Sequence, residues 1–169
     1  MSIQPNQLRL LITEVLENIN YFSPPAAELL MLTAAQESHC GRYIQQINGP
    51  AMGIFQMEPE TALDIEINFL HYRPGLMSIV NQYKGGQPTQ IAAIGNIPYQ
   101  IVMARMHYLR SKENIPGVVF PNGLGGRPYD ESILRMAEYY KRVWNTDKGK
   151  ATVEEAVLNY RKYVLGGGN

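Results

Sequence analysis

The chain has 169 residues, enough for one domain with a substantial core and too few for two comfortable ones. Apolar residues make up 45% and charged residues 18%, with 15 Lys+Arg balancing 15 Asp+Glu, which argues against a disordered polyelectrolyte and against nucleic acid as a partner. Cys40 is the single cysteine, which excludes an intramolecular disulfide framework and a multi-cysteine zinc site and points to synthesis in a reducing compartment.

The opening MSIQPNQLRLLITEVLENIN has no basic first region, no uninterrupted apolar core and no small-residue cleavage site, so it reads as a mature start and not as a secretory signal. Within it Leu8, Leu11, Ile12, Val15, Leu16 and Ile19 recur at helical spacing, predicting an amphipathic helix from about Pro5 to Asn20. Ser23-Pro24-Pro25 supplies a cap and first-turn prolines for a second, largely buried helix through AAELLMLTAAQES, which Gly41 is expected to end. From Gly41 to Pro59 the glycines and the Asn48-Gly49-Pro50 turn signal break helical periodicity, implying a compact loop or small hairpin. Pro59 opens a helix through about Leu70, and Pro74 begins a short one closed off by Lys84-Gly85-Gly86. IPYQIVMARMHYLR follows with a broad apolar face. The segment 113–128, with its glycines and prolines, reads as a surface loop. ILRMAEYYKRVW is helical, and Thr152-Val153-Glu154-Glu155 is a capping box for a last helix to about Leu165, after which 166–169 form a flexible tail. Almost nothing reads as a strand, so the expected class is mainly α, in a single domain over 1–165. No apolar run approaches the roughly 18 to 20 residues needed to cross a bilayer, and no membrane insertion is expected.

Chemistry concentrates at Glu37, at the end of a helix whose preceding turns are Leu, Met, Ala and Thr. Desolvation and the negative pole of the helix C-terminus both favour the neutral carboxyl there, and such a group can donate its proton to a leaving oxygen near neutral pH. Taken alone, the residue is equally a solvated helix-end carboxylate. After it come Ser38, then Pro50-Ala51-Met52-Gly53-Ile54-Phe55-Gln56, then Pro59-Glu60-Thr61-Ala62.

This block resembles the signature of the lytic transglycosylases and goose-type lysozymes, in which Glu-Ser at a helix end is followed by a Gly-Ala-x-Gly-Leu-Met-Gln-like loop and by Pro-x-Thr-Ala. Asn96-Ile97 with Ala104 and Tyr108-Leu109, and Ala137-Glu138-Tyr139-Tyr140 ending at Val143-Trp144, resemble two later segments of the family, so the match runs over roughly residues 26 to 146. The resemblance implies a lysozyme-like fold with a small loop or hairpin beside a cleft. It also implies peptidoglycan glycan strands as substrate, cleavage of the MurNAc–GlcNAc bond, no cofactor and no metal. Glu37 would be the catalytic acid and base, with Ser38, Gly53, Ile54, Phe55, Gln56 and Tyr139 or Tyr140 at the substrate. Gly53 is expected to let the backbone pass close to the saccharide. The family's Asn-x-Gly is replaced by Tyr140-Lys141-Arg142.

Glu58 stands where goose-type lysozymes carry an aspartate, so a hydrolase with Glu58 as second carboxylate is an alternative. The other reading of Glu58 is a favourable acid at a helix N-terminus. A phage structural or glycan-binding protein that keeps the fold without turnover is the alternative from another class. The absence of a signal together with the resemblance suggests a phage enzyme, made in the cytoplasm and acting in the periplasm or cell wall, carried in a virion beside other virion proteins. His39-Cys40 reads as a buried, inert thiol beside a histidine, His71 and His107 lack the spacing of a metal site, and Gly123–Gly126 lacks the pattern of a phosphate cradle.

Overall fold

A computed structural model describes residues 3–124, 126–146 and 149–166. Among these the protein is mainly helical, with eight α-helices and no strand. Prolines at the first or second position set the start of α1 (Pro5–Asn18), α2 (Pro24–Ser38), α3 (Pro59–Asn68) and α4 (Pro74–Lys84), where a missing N–H costs nothing. They are followed by α5 (Thr89–Gly95), α6 (Ile97–Leu109), α7 (Asp130–Tyr140) and α8 (Val153–Tyr163).

Two helices form the centre. In α2 eleven of 15 residues are buried, and α6 buries nine of 13, so neither shows a polar face. Around them α1, α7 and α8 are amphipathic: α1 packs against α2 and α6, and α8 against α2 and α7. The buried apolar side chains form one continuous cluster that draws on all eight helices. A buried polar knot ties three of them: Glu28 of α2 pairs with Arg9 of α1 and accepts a hydrogen bond from the Tyr160 hydroxyl of α8. No described helix is long and apolar enough to cross a membrane.

Several boundaries differ from expectation. The second helix ends at Ser38, with His39 itself as the left-handed cap at φ 53°; Cys40 and Gly41 continue the left-handed turn at φ 57° and 82°. The cap amides donate to the carbonyls of Ala34 and Ala35, which offsets the steric cost of two non-glycine residues in that region. The first helix stops at Asn18 because Asn20 is left-handed, α3 gives way to a short 3₁₀ turn at Leu70–Tyr72, and the last helix stops at Tyr163. The seven-residue α5 has no counterpart in the sequence reading. After α7 the chain winds on as a π-helical turn, Lys141–Asn145. The loop 41–58 is closed only by isolated bridges, Gln45 to Met52 and Met52 to Met57. Of the tail expected at 166–169, all but Gly166 lies outside the described residues.

Candidate active site

A cleft of about 700 Å³ lies between the C-terminal end of α2, the loop 43–58, the start of α3, the floor provided by α6, and the π turn with the segment after it. Its size is that of sites for small molecules or short oligomers. Glu37 projects into it from the last turn of α2, a turn without a basic residue. Gln45, Gln46, Gln56, Thr61 and Asn145 offer amide and hydroxyl groups along the walls, and Tyr43, Ile47, Met57 and Trp144 offer apolar and aromatic surface.

The Tyr140 hydroxyl donates to Glu37 Oε1 at 2.5 Å. Burial raises the Glu37 carboxyl from its ordinary 4.5 to about 7, against the opposing pull of the hydrogen bonds from Tyr140 and, secondarily, Trp144. Burial and the neighbouring carboxylate push the Tyr140 phenol far up, so it stays a neutral donor across the physiological range. Glu37 is therefore held in one orientation while remaining able to carry a proton near neutral pH.

The floor is aromatic. Trp144 packs on His107, Tyr108 and Phe55, with ring centroids 4.5, 5.3 and 6.4 Å away. The buried Tyr108 hydroxyl shares a 2.7 Å hydrogen bond with Thr33 Oγ1. His107 is driven down to about 4 by burial and by Arg110, so its ring is neutral at ordinary pH. Arg110 donates to Nδ1 at 3.2 Å, which leaves the ring proton on Nε2, and Nε2 donates to the Val143 carbonyl at 3.2 Å. That bond anchors the π turn that carries Trp144 and Asn145 into the cleft.

The loop opposite Glu37 is tied down from beneath. Ser38 is fully buried: its hydroxyl donates to the Ile54 carbonyl at 2.6 Å and accepts from the Gly41 amide at 2.8 Å, joining the helix end to the loop. Gln100 Oε1 accepts from the Ile54 amide at 2.8 Å. Gly53 has φ +77°, and a Cβ there would come within 2.4 Å of the Ala93 carbonyl oxygen and 2.5 Å of Gln100 Oε1. The packing of the loop on α5 and α6 therefore itself requires glycine at this position.

Of the residues singled out in the sequence, Glu37, Gln56 and Glu58 line the cleft. Gln56 donates from Nε2 to the Gly53 carbonyl at 2.7 Å. Glu58 occupies the N-cap position of α3 without making a side-chain cap, and its side chain is exposed at the cleft. Ser38, Ile54 and Phe55 are buried behind the wall and do not face the opening. The two tyrosines separate cleanly: Tyr140 bonds Glu37, whereas Tyr139 turns to the Glu113 carbonyl at 3.1 Å and does not line the cleft. Asn96 is the N-cap of α6, accepting from the Tyr99 amide at 3.0 Å, and ties to α4 through the Tyr83 carbonyl at 2.7 Å. Cys40 is buried, and desolvation pushes its thiol up to about 11, away from nucleophilic use. His107, Tyr43 and Asn145 are cleft residues that the sequence did not single out as such. Among the described residues no three His, Cys, Asp or Glu side chains stand together as a metal-binding group. Compared with known proteins, the chain matches no family model, no curated protein and no solved structure.

Proposed function

We propose that this protein has a lysozyme-like fold and is a lytic transglycosylase that cleaves the MurNAc–GlcNAc bond of peptidoglycan. The observation that carries the reading is Glu37: a carboxyl raised to about 7 by burial, oriented by Tyr140, in a cleft of oligosaccharide dimensions. Amide side chains interleaved with Tyr43, Ile47 and Trp144 suit an uncharged sugar, whose ring faces are apolar and whose rim is rich in hydroxyl and amide groups.

In this reading neutral Glu37 gives its proton to the glycosidic oxygen as the C1–O bond breaks. The substrate's own N-acetyl group stabilises the cationic C1. The glutamate, now ionised, takes the proton of the same sugar's 6-hydroxyl as that oxygen bonds to C1, which yields a 1,6-anhydro end and restores the acid. One carboxyl suffices and no cofactor enters.

A second reading is favoured by one observation, that Glu58 faces the same cleft while capping nothing. There Glu58 activates a water and the product is a reducing end. Zymography on purified peptidoglycan, with mass spectrometry of the released muropeptides, tests both. Clearing that vanishes in Glu37→Gln with anhydro products supports the transglycosylase. Reducing ends that disappear in Glu58→Gln support the hydrolase. Equal inactivity of wild type and Glu37→Gln leaves a glycan-binding or structural protein and refutes the enzymatic reading.

A further inference from the structure

A second concavity, of about 350 Å³, shares no lining residue with the cleft. It is formed by the N-terminus of α1, the residues just before α7 and the C-terminal end of α8, and three guanidinium groups line it: Arg9, Arg127 and Arg161. Arg9 is balanced by the buried Glu28. Among the described residues Arg127 and Arg161 share a single carboxylate, Asp130, at 3.3 and 3.2 Å, which leaves one positive charge over within that set. The Asp130 side chain is 61% exposed and its two contacts are long, which makes it a weak and displaceable partner. Among the described residues the Arg161 Nε atom is buried and finds no hydrogen-bond partner, while the side chain as a whole is 42% exposed at the concavity. The first turn of α1, whose N-cap makes no side-chain bond and which contains no acidic residue, adds the positive pole of a 14-residue helix, with Asn6 at the rim.

We propose that this pocket binds a phosphate group. Planar guanidiniums bind tetrahedral oxyanions through paired donors, and here three guanidiniums, the excess charge and the helix pole meet at one concavity. Its volume exceeds that of a bare phosphate and leaves room for a substituent. The site is independent of glycan cleavage, because every residue in it lies outside the catalytic cleft.

The test is titration of the full chain with inorganic phosphate and with glycerol 3-phosphate, read by calorimetry and thermal shift against sodium chloride of matched ionic strength. Saturable binding is expected, weakened about tenfold in Arg127→Gln and in Arg161→Gln and strengthened in Asp130→Asn, where the competing carboxylate is gone. Tighter binding of glycerol 3-phosphate identifies a substituted phosphate as the ligand; equal or weaker binding identifies free phosphate. Should Arg161→Gln disturb folding, Arg127, whose side chain is 57% exposed, carries the test alone. Wild-type shifts no larger than those with chloride, or shifts equal in wild type and the arginine variants, would overturn the proposal.

Discussion

Tyr140 and Glu37 stand 103 positions apart in the chain and 2.5 Å apart in space, the phenol donating to the carboxyl at the end of α2. The bond favours the ionised carboxyl, and burial favours the neutral one; burial wins. The residue is thereby oriented without being locked into the charged form.

A raised carboxyl makes stability fall with pH. Below 4.5 folded and unfolded chains both hold this proton; between 4.5 and about 7 only the folded chain does, so stability declines, and above that range the loss is complete, about 3 kcal/mol. Glu37→Gln lacks this titration. In urea denaturation the variant should be more stable than wild type on the alkaline side, with the difference shrinking toward acid. Parallel pH profiles for the two proteins would contradict the raised carboxyl.

Removing the donor should move the acid, not silence it. In Tyr140→Phe the carboxylate loses a hydrogen bond that helps it ionise, so, if the protein cleaves glycan as proposed, the alkaline limb of its kcat/KM should move upward, from near 7 to about pH 8. The acid plateau should drop as well, because the carboxyl is less well oriented. An unmoved limb would mean that Tyr140 does not act on Glu37 during turnover.

The knot of Arg9, Glu28 and Tyr160 is a stability determinant remote from the cleft. Glu28→Ala strands a guanidinium and a phenol among α1, α2 and α8 and should cost about 3 kcal/mol, the lower part of the range for broken buried pairs because the Arg9 side chain is 20% exposed. Tyr160→Phe removes only one donor and should cost about 1.5 kcal/mol. Equilibrium unfolding checks both values and their order.

Gly53→Ala should lower stability by about 2 kcal/mol and impair cleavage together, since a left-handed alanine is strained and its methyl meets the rigid Ala93 carbonyl. If instead the glycine only made room for a saccharide, stability would be untouched while KM rose.

Locally encoded features were legible in the chain. Pro5, Pro24, Pro59 and Pro74 mark helix starts, and the Thr152–Glu155 capping box forms with both of its hydrogen bonds, at 3.1 and 2.9 Å. These signals act within one turn and need no partner. Features that depend on distant neighbours were not legible. Tyr139 and Tyr140 are adjacent and chemically alike, and only the packing of α7 decides which one meets Glu37. Glu28 looks like a surface charge until Arg9 and Tyr160 are brought to it. The helix α5 has seven residues, too few for a periodic pattern, and His107 joins the cleft only because α6 runs beneath it.

The π turn at Lys141–Asn145 ends the helix begun by α7 in a wider turn than an α-helix makes, with one more residue between bonded backbone groups. Each α-helical position rotates the side chains by about 100°, so the wider turn points its side chains differently around the axis. Deleting Arg142, an exposed residue whose partner is Glu113 on the surface, would rewind the segment and carry Trp144 and Asn145 away from the carboxyl while leaving both side chains chemically intact. The furrow's geometry is thus encoded in the number of residues between Tyr140 and Trp144 as much as in their identity.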